Sequence, residues 1–147
     1  MNFLVDTNIL SRTAPSRAAE AGALGDWLVR NGERLYLSAV TLMEVRYGVA
    51  RLAHRGATRK AALLQAWLDD IAAFHGGRIL PVDAAVALRA GELLARVQAG
   101  GVEVGSEDAL IAATADLNGM AVLTENVRHF APMGVAYVNP LDGLPDD

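Results

Sequence analysis

The chain has 147 residues, 52% of them hydrophobic, a formal net charge of −4 and no cysteine. That length and apolar content suit one domain burying roughly two-thirds of its unfolded surface, and they exclude a disordered chain. The missing thiols exclude disulfides, zinc–thiolate centres and cysteine nucleophiles, and the acidic balance has the wrong sign for gripping nucleic acid by counterion release alone.

No apolar run approaches the roughly 20 residues that span a bilayer, and the N-terminus lacks the basic start and long apolar core of a signal peptide. A cytoplasmic protein with no membrane partner is the expectation. Lys60 is the only lysine among 13 basic residues. Arginine suits bidentate phosphate contacts, but a GC-rich genome explains the bias equally well.

Taken in order, Asn2 to Val5 is an apolar strand that stops at Asp6, and Thr7 to Arg12 continues as a short helix. Ser16 is placed to cap a helix from Arg17 to Arg30, whose apolar residues recur near period 3.6. Leu35 to Ser38 is a second strand, and Val40 to Ala53 a helix in which Gly48 suggests close packing. Thr58 to Phe74 forms the next helix. Arg78 to Val82 is a third strand, where Pro81 points to an edge or a strand end.

Asp83 caps a helix reaching Ala99, and Ser106 is placed to cap another that ends at Leu117. Met120 to Leu123 is a fourth strand. Thr124 to Pro132 reads as a loop with one helical turn, and Val135 to Val138 as a fifth strand. Residues 1–140 make one domain, and 141–147, rich in Pro, Gly and Asp, form a tail expected to fray. Short strands without polar alternation, separated by helices, predict an α/β fold: a mostly parallel sheet of four or five strands with helices on both faces.

In such sheets function gathers at the carboxyl ends of the strands. Three acidic residues stand at joints of that kind. Asp6 follows the first strand, Glu44 lies soon after the second, and Asp108 opens an apolar helix. Each also has a plain explanation. Asp6 suits an N-cap, Thr41-Leu42-Met43-Glu44 matches a capping box, and Asp108 suits the positive end of a helix dipole. Brought together on one rim, however, the carboxylates would repel one another and raise their pKa values unless a cation sat among them. Mg²⁺, which takes one or two carboxylates and keeps its waters, is the natural occupant.

The motifs Val5-Asp6-Thr7-Asn8, Ser38 to Gly48, Glu107 to Ala115 and Leu123-Thr124-Glu125-Asn126-Val127-Arg128-His129-Phe130 occur in that order along nearly the whole chain. Together with the closing Gly134-Val135 and Val138-Asn139-Pro140, they resemble the PIN-domain family, specifically the VapC-type toxins of bacterial toxin–antitoxin modules. The resemblance implies an endoribonuclease dependent on Mg²⁺ or Mn²⁺. By position it assigns Asp6, Glu44 and Asp108 to the metal site, with Thr7, Asn8 and Thr124 supporting it. Asn126 completes the catalytic set at a position where many relatives carry Asp. His129 stands before Phe130, where close relatives often carry an acid, and is the one histidine placed to touch the site. Both departures leave one or two metals open.

Arg12, Arg46 and Arg128 lie near these motifs and are candidates for RNA phosphates, or else solvated arginines on helix faces. The resemblance further implies a small cognate antitoxin, a homodimer, and contact with operator DNA only through the antitoxin. The helices bearing Trp27 and Trp67 are candidates for those surfaces. Two alternatives stay open: a weakly catalytic or non-catalytic module working with its antitoxin in DNA-binding autoregulation, and a PIN nuclease of another nucleic acid. Other α/β families fail at single residues. Position 8 is Asn where a haloacid-dehalogenase-like phosphatase needs Asp, no late lysine exists for a receiver domain, and neither a P-loop nor a Ser-His-Asp set occurs.

Overall fold

The computed structural model describes all residues from Met1 to Asp147. Five strands, β1 (Phe3–Val5), β2 (Leu35–Ser38), β3 (Ile79–Leu80), β4 (Ala121–Leu123) and β5 (Tyr137–Val138), form one sheet in the order β3-β2-β1-β4-β5. Every pairing is parallel, with Phe3 opposite both Leu35 and Ala121, and Val5 opposite Leu123. The chain winds outward from β1 to β3 on one side, then returns to lay β4 on the other flank of β1. That reversal places a topological switch point between the carboxyl ends of β1 and β4, where open α/β sheets carry their crevice.

Seven α-helices surround the sheet: α1 (Thr7–Leu10), α2 (Gly22–Arg30), α3 (Ala39–His54), α4 (Thr58–His75), α5 (Ala84–Ala99), α6 (Ser106–Leu117) and α7 (Val127–Phe130). Alternation along the strands divides the core in two. Leu4 and Val122 face a layer with Val86 and Leu93 of α5 and Ile111 of α6. Phe3, Val5, Leu37 and Leu123 face the other, with Ile9, Leu24 and the edge-on ring of Trp27. The α/β architecture with helices on both faces is therefore as expected, including Pro81 directly after the edge strand β3.

Several local expectations are corrected. No helix starts at Arg17, and Ser16 caps nothing; a 3₁₀ turn at Ala18–Glu20 precedes α2, which opens at Gly22. Gly22 has φ +52°, a left-handed conformation that resets the chain direction after the turn. At α6 the cap position belongs to Gly105, without a side-chain bond, and Ser106 is already helical. At α3 the cap is Ser38, whose Oγ accepts from the Val40 N–H at 3.0 Å, so the capping-box reading of Thr41 and Glu44 fails by three residues. Gly48 has open space around it rather than a close neighbour.

The last residues of the tail make defined contacts. Trp27 Nε1 donates to the Pro145 carbonyl (2.8 Å), Asn31 Nδ2 to Asp147 Oδ1 (2.8 Å) and an Arg34 terminal nitrogen to the Asp146 carbonyl (3.0 Å). A buried indole N–H needs an acceptor, and these last residues supply it.

Candidate active site

Asp6 stands at the first position beyond β1, in the centre of the sheet. Its own N–H still pairs with the Leu123 carbonyl of β4 at 2.9 Å, while its extended backbone and side chain cap α1. Only 3% of the residue is exposed. One carboxylate oxygen accepts from the Thr7 N–H (2.8 Å) and the other from the Thr124 hydroxyl (2.7 Å). The cap reading was thus sound, but it accounts for one oxygen of two.

Thr124, fully buried just beyond β4, is the hub of this corner. Its Oγ1 donates to Asp6 and accepts from the Asn126 N–H at 2.8 Å, with Asn8 Nδ2 more distant at 3.4 Å. Asn8 also takes the Glu125 N–H on its side-chain oxygen at 3.3 Å. These bonds hold the start of α1 to the loop after β4 across the switch point.

Glu44 reaches the same corner from the second turn of α3, where the Thr7 hydroxyl donates to its Oε1 at 2.7 Å. Buried Thr41, one turn earlier, lies 3.4 Å from the same hydroxyl. Asp108 enters from the first turn of α6, and its Oδ2 lies 2.7 Å from His129 Nδ1 and 3.4 Å from Asn126 Nδ2. One hydrogen-bonded group therefore contains Asp6, Thr7, Asn8, Glu44 and Thr124, and a second, joined to it through Asn126, contains Asp108 and His129.

The electrostatics tie the two groups together. Burial pushes Asp6 up to about 6, resisted by the Thr124 bond and reinforced by the charges of Asp108 and Glu44. Glu44 is also raised, first by burial and then by Asp108 and Glu107, with the Thr7 bond working against the shift. Neither Asp6 nor Glu44 takes part in any ion pair of the molecule. Carboxylates raised by burial and by a shared acidic neighbour, Asp108, and lacking a basic partner are what a cation would relieve. As the side chains stand, no three acidic or histidine groups are spaced to hold one ion together. Mg²⁺ asks only for one or two carboxylates plus water, so this donor set fits it.

The arginines are placed less uniformly. Arg12 pairs with Glu125 beside Asn8, Arg46 donates to Gln65 of α4, and Arg128 is exposed on α7. Glu125 is thus the partner of Arg12. Thr41 was absorbed into a presumed cap. The signal for His129 was its position, one helical turn after Asn126, which puts both side chains on one face.

Comparison with known proteins matches residues 3–134 to the PIN domain. A VapC ribonuclease of Sinorhizobium fredii is 32% identical over 143 residues, covering 94% of this chain and 96% of the relative. Toxin FitB of Neisseria gonorrhoeae is 34% identical over 139 residues, covering 94% and 97%. Among solved structures, FitAB bound to a DNA fragment superposes with TM-score 0.80 at 34% identity, covering 94% of each chain. DNA-bound VapBC from Salmonella typhimurium superposes with TM-score 0.71 at 27% identity, covering 94% and 97%. The match over nearly the whole length, with β1, β4 and their acidic rim inside it, makes this chain a member of the PIN-domain family with VapC ribonucleases among its relatives.

Proposed function

We propose that the chain is a metal-dependent endoribonuclease serving as the toxin of a toxin–antitoxin pair. The observation that carries this reading is buried Asp6 and half-buried Glu44, both raised by burial and by the charge of Asp108 and without a basic partner, at the switch point of the sheet. Relatives named as ribonucleases and as a tRNA(fMet)-specific endonuclease support the substrate class. Asp6 and Asp108 would hold Mg²⁺ or Mn²⁺, with Glu44 at its water shell. When bound, the ion would polarise a phosphoryl oxygen and lower the pKa of water.

The protein's own part is preorganisation. Thr7 and Thr124 fix both oxygens of Asp6, so the carboxylate needs no rearrangement before reaction. Glu44, raised by burial, is suited to take a proton from an attacking water. Asn126, anchored by its backbone to Thr124, presents a neutral amide where a further charge would add repulsion. Arg12 and Arg128 flank the loop after β4 and would meet substrate phosphates; the Arg12–Glu125 pair must open for the first to do so.

An apolar cleft of about 350 Å³ lies between α2 and α4, lined by Leu10, Leu28, Trp67, Ile71 and Phe74 among others. It would take an apolar segment of the antitoxin, and operator DNA would be reached only through that partner. Exposed Met43 and Tyr47, one turn apart on α3, offer surface to a second copy. No helix is long and apolar enough to cross a membrane.

RNA end-sequencing after induced expression tests activity and target together. Defined new ends that disappear in Asp6→Asn and Asp108→Asn are expected; ends unchanged by both variants would refute the assignment. Asn126 at the fourth acidic position favours a second reading, a module with weak or no catalysis acting in autoregulation. Calorimetric titration with Mn²⁺ separates the two, since that reading predicts no carboxylate-dependent binding.

A further inference from the structure

Asp108, like Glu44, has its carboxylate held from another element rather than from its own helix. It sits on the first turn of α6, partly exposed, with no bond from its helix to the carboxylate. Its charge raises both Asp6 and Glu44, and this repulsion is a drive for the carboxylates to separate. What opposes that drive comes from α7, where His129 Nδ1 lies 2.7 Å from Oδ2.

A ring nitrogen this close to a carboxylate oxygen carries the proton and donates it. The same nitrogen lies 2.7 Å from the side-chain amide of Asn126. With the ring N–H donated to Asp108, the amide meets the ring nitrogen through its Oδ1, which gives up the longer 3.4 Å contact of its Nδ2 with Asp108. The His129 N–H then serves Asp108 and Asn126 at once, and Asn126 is in turn tied to Thr124 by its backbone.

We propose that His129 is the positioning residue of this site. Its Nδ1–H clamps one oxygen of Asp108, turns the other toward the space shared with Asp6 and Glu44, and fixes Asn126 by the same proton. The position where an acid could stand is thereby used for a neutral clamp, not for a ligand. The inference deepens the metal-dependent reading and rests on it for its functional consequence, while the clamp itself is a property of the metal-free protein.

Two measurements test it. In metal-free protein at pH 8.5 or thereabouts, above the ordinary range of histidine, ¹⁵N shifts of His129 should report the Nδ1–H tautomer; Asp108→Ala, which removes the charged acceptor and leaves only Asn126, should weaken that preference. An Nε2–H tautomer in the wild type would overturn the clamp whether or not metal binds. Mn²⁺ calorimetry then reads the consequence. His129→Ala should weaken binding by about 10- to 100-fold, the cost of losing an outer partner of a ligand.

His129→Asn, whose Nδ2 overlays Nδ1, should recover most of the loss, and His129→Gln, whose nitrogen overlays Nε2, should not. Recovery by Gln alone, or imidazole ¹⁴N coupling on bound Mn²⁺ in electron spin-echo spectra, would make His129 a ligand and overturn the proposal. Tight binding retained by His129→Ala would do the same. A wild type with the expected tautomer but no Mn²⁺ binding would instead overturn the metal-site reading and leave the clamp standing.

Discussion

Asp6 and Asp108 are near enough for the charge of the second to raise the first, but they are held by different means. Asp6 extends from the central strand, is buried, and has each oxygen bonded from a neighbouring segment: Thr7 at the start of α1 and Thr124 beyond β4. Asp108 projects from a helix into a half-open space and depends on one histidine from a four-residue helix. The first arrangement is bought with stability, because burial holds a charged group away from water. The second leaves the charge partly solvated and places its orientation on a few contacts. The crevice assembled in this way has one fixed wall and one adjustable wall.

The largest expected effect removes either wall. Asp6→Asn or Asp108→Asn should lower RNA cleavage by about 10³-fold or more, the scale of losing a charge-stabilising group from a preorganised site. A residual rate within a few-fold of wild type for one variant would show that the two carboxylates do not act as a pair.

Next is the stability cost at Asp6. Its pKa is raised from 3.8 to about 6, so between those values the native state binds the proton more tightly than the unfolded chain. The metal-free protein therefore loses stability from this group as pH rises through 6, and above pH 7 the loss approaches about 3 kcal/mol. Asp6→Asn should accordingly stabilise the metal-free protein at pH 8 and make no such difference below pH 4. Urea unfolding at both pH values checks this, and an equal shift at both would discard the linkage. Added Mn²⁺ should narrow the gap at pH 8 by stabilising only the wild type.

Thr124→Val keeps the shape of the buried hub but removes its hydroxyl. It should cost about 2 kcal/mol in urea unfolding, because Asp6 and the Asn126 N–H both lose a partner. Asp108 should feel little of this, so the variant tests whether the fixed wall can be loosened alone. Arg128→Ala should have the smallest effect, raising KM for RNA by roughly 2- to 5-fold with kcat unchanged and a shallower salt dependence. A fall in kcat with KM unchanged would move Arg128 from binding to chemistry.

What could be read in the sequence follows the same division. The β1 run ending in Asp6 and the β4 run ending in Thr124 are legible because apolar runs of three or four residues bounded by polar ones leave few alternatives. The parallel order follows from helices between strands. Asp6, Glu44 and Asp108 were found as joint residues in the sequence, but only side-chain geometry distinguishes a cap from a cluster. Ser16 and Ser106 misled because a serine before an apolar stripe is a cap only if the backbone there is extended. At Ser16 the chain first makes a separate 3₁₀ turn, and at Ser106 the helix has already begun. The His129–Asp108 contact joins residues 21 apart on different helices, and no local pattern encodes that distance.

The clasp of the tail has a practical consequence. Arg34 donates to the carbonyl of Met1 (2.8 Å) and to that of Asp146 (3.0 Å), so a single guanidinium gathers both ends of the chain. Because β1 runs from there toward Asp6, the ends meet on the rim opposite the carboxylates. A fluorophore, a purification handle or a fused domain carried at residue 1 or 147 would therefore project away from the crevice. Joining the two ends through a short glycine-rich connector and reopening the chain at the exposed Gly100–Gly101 turn gives a circular permutant that leaves all five strands and the acidic rim intact.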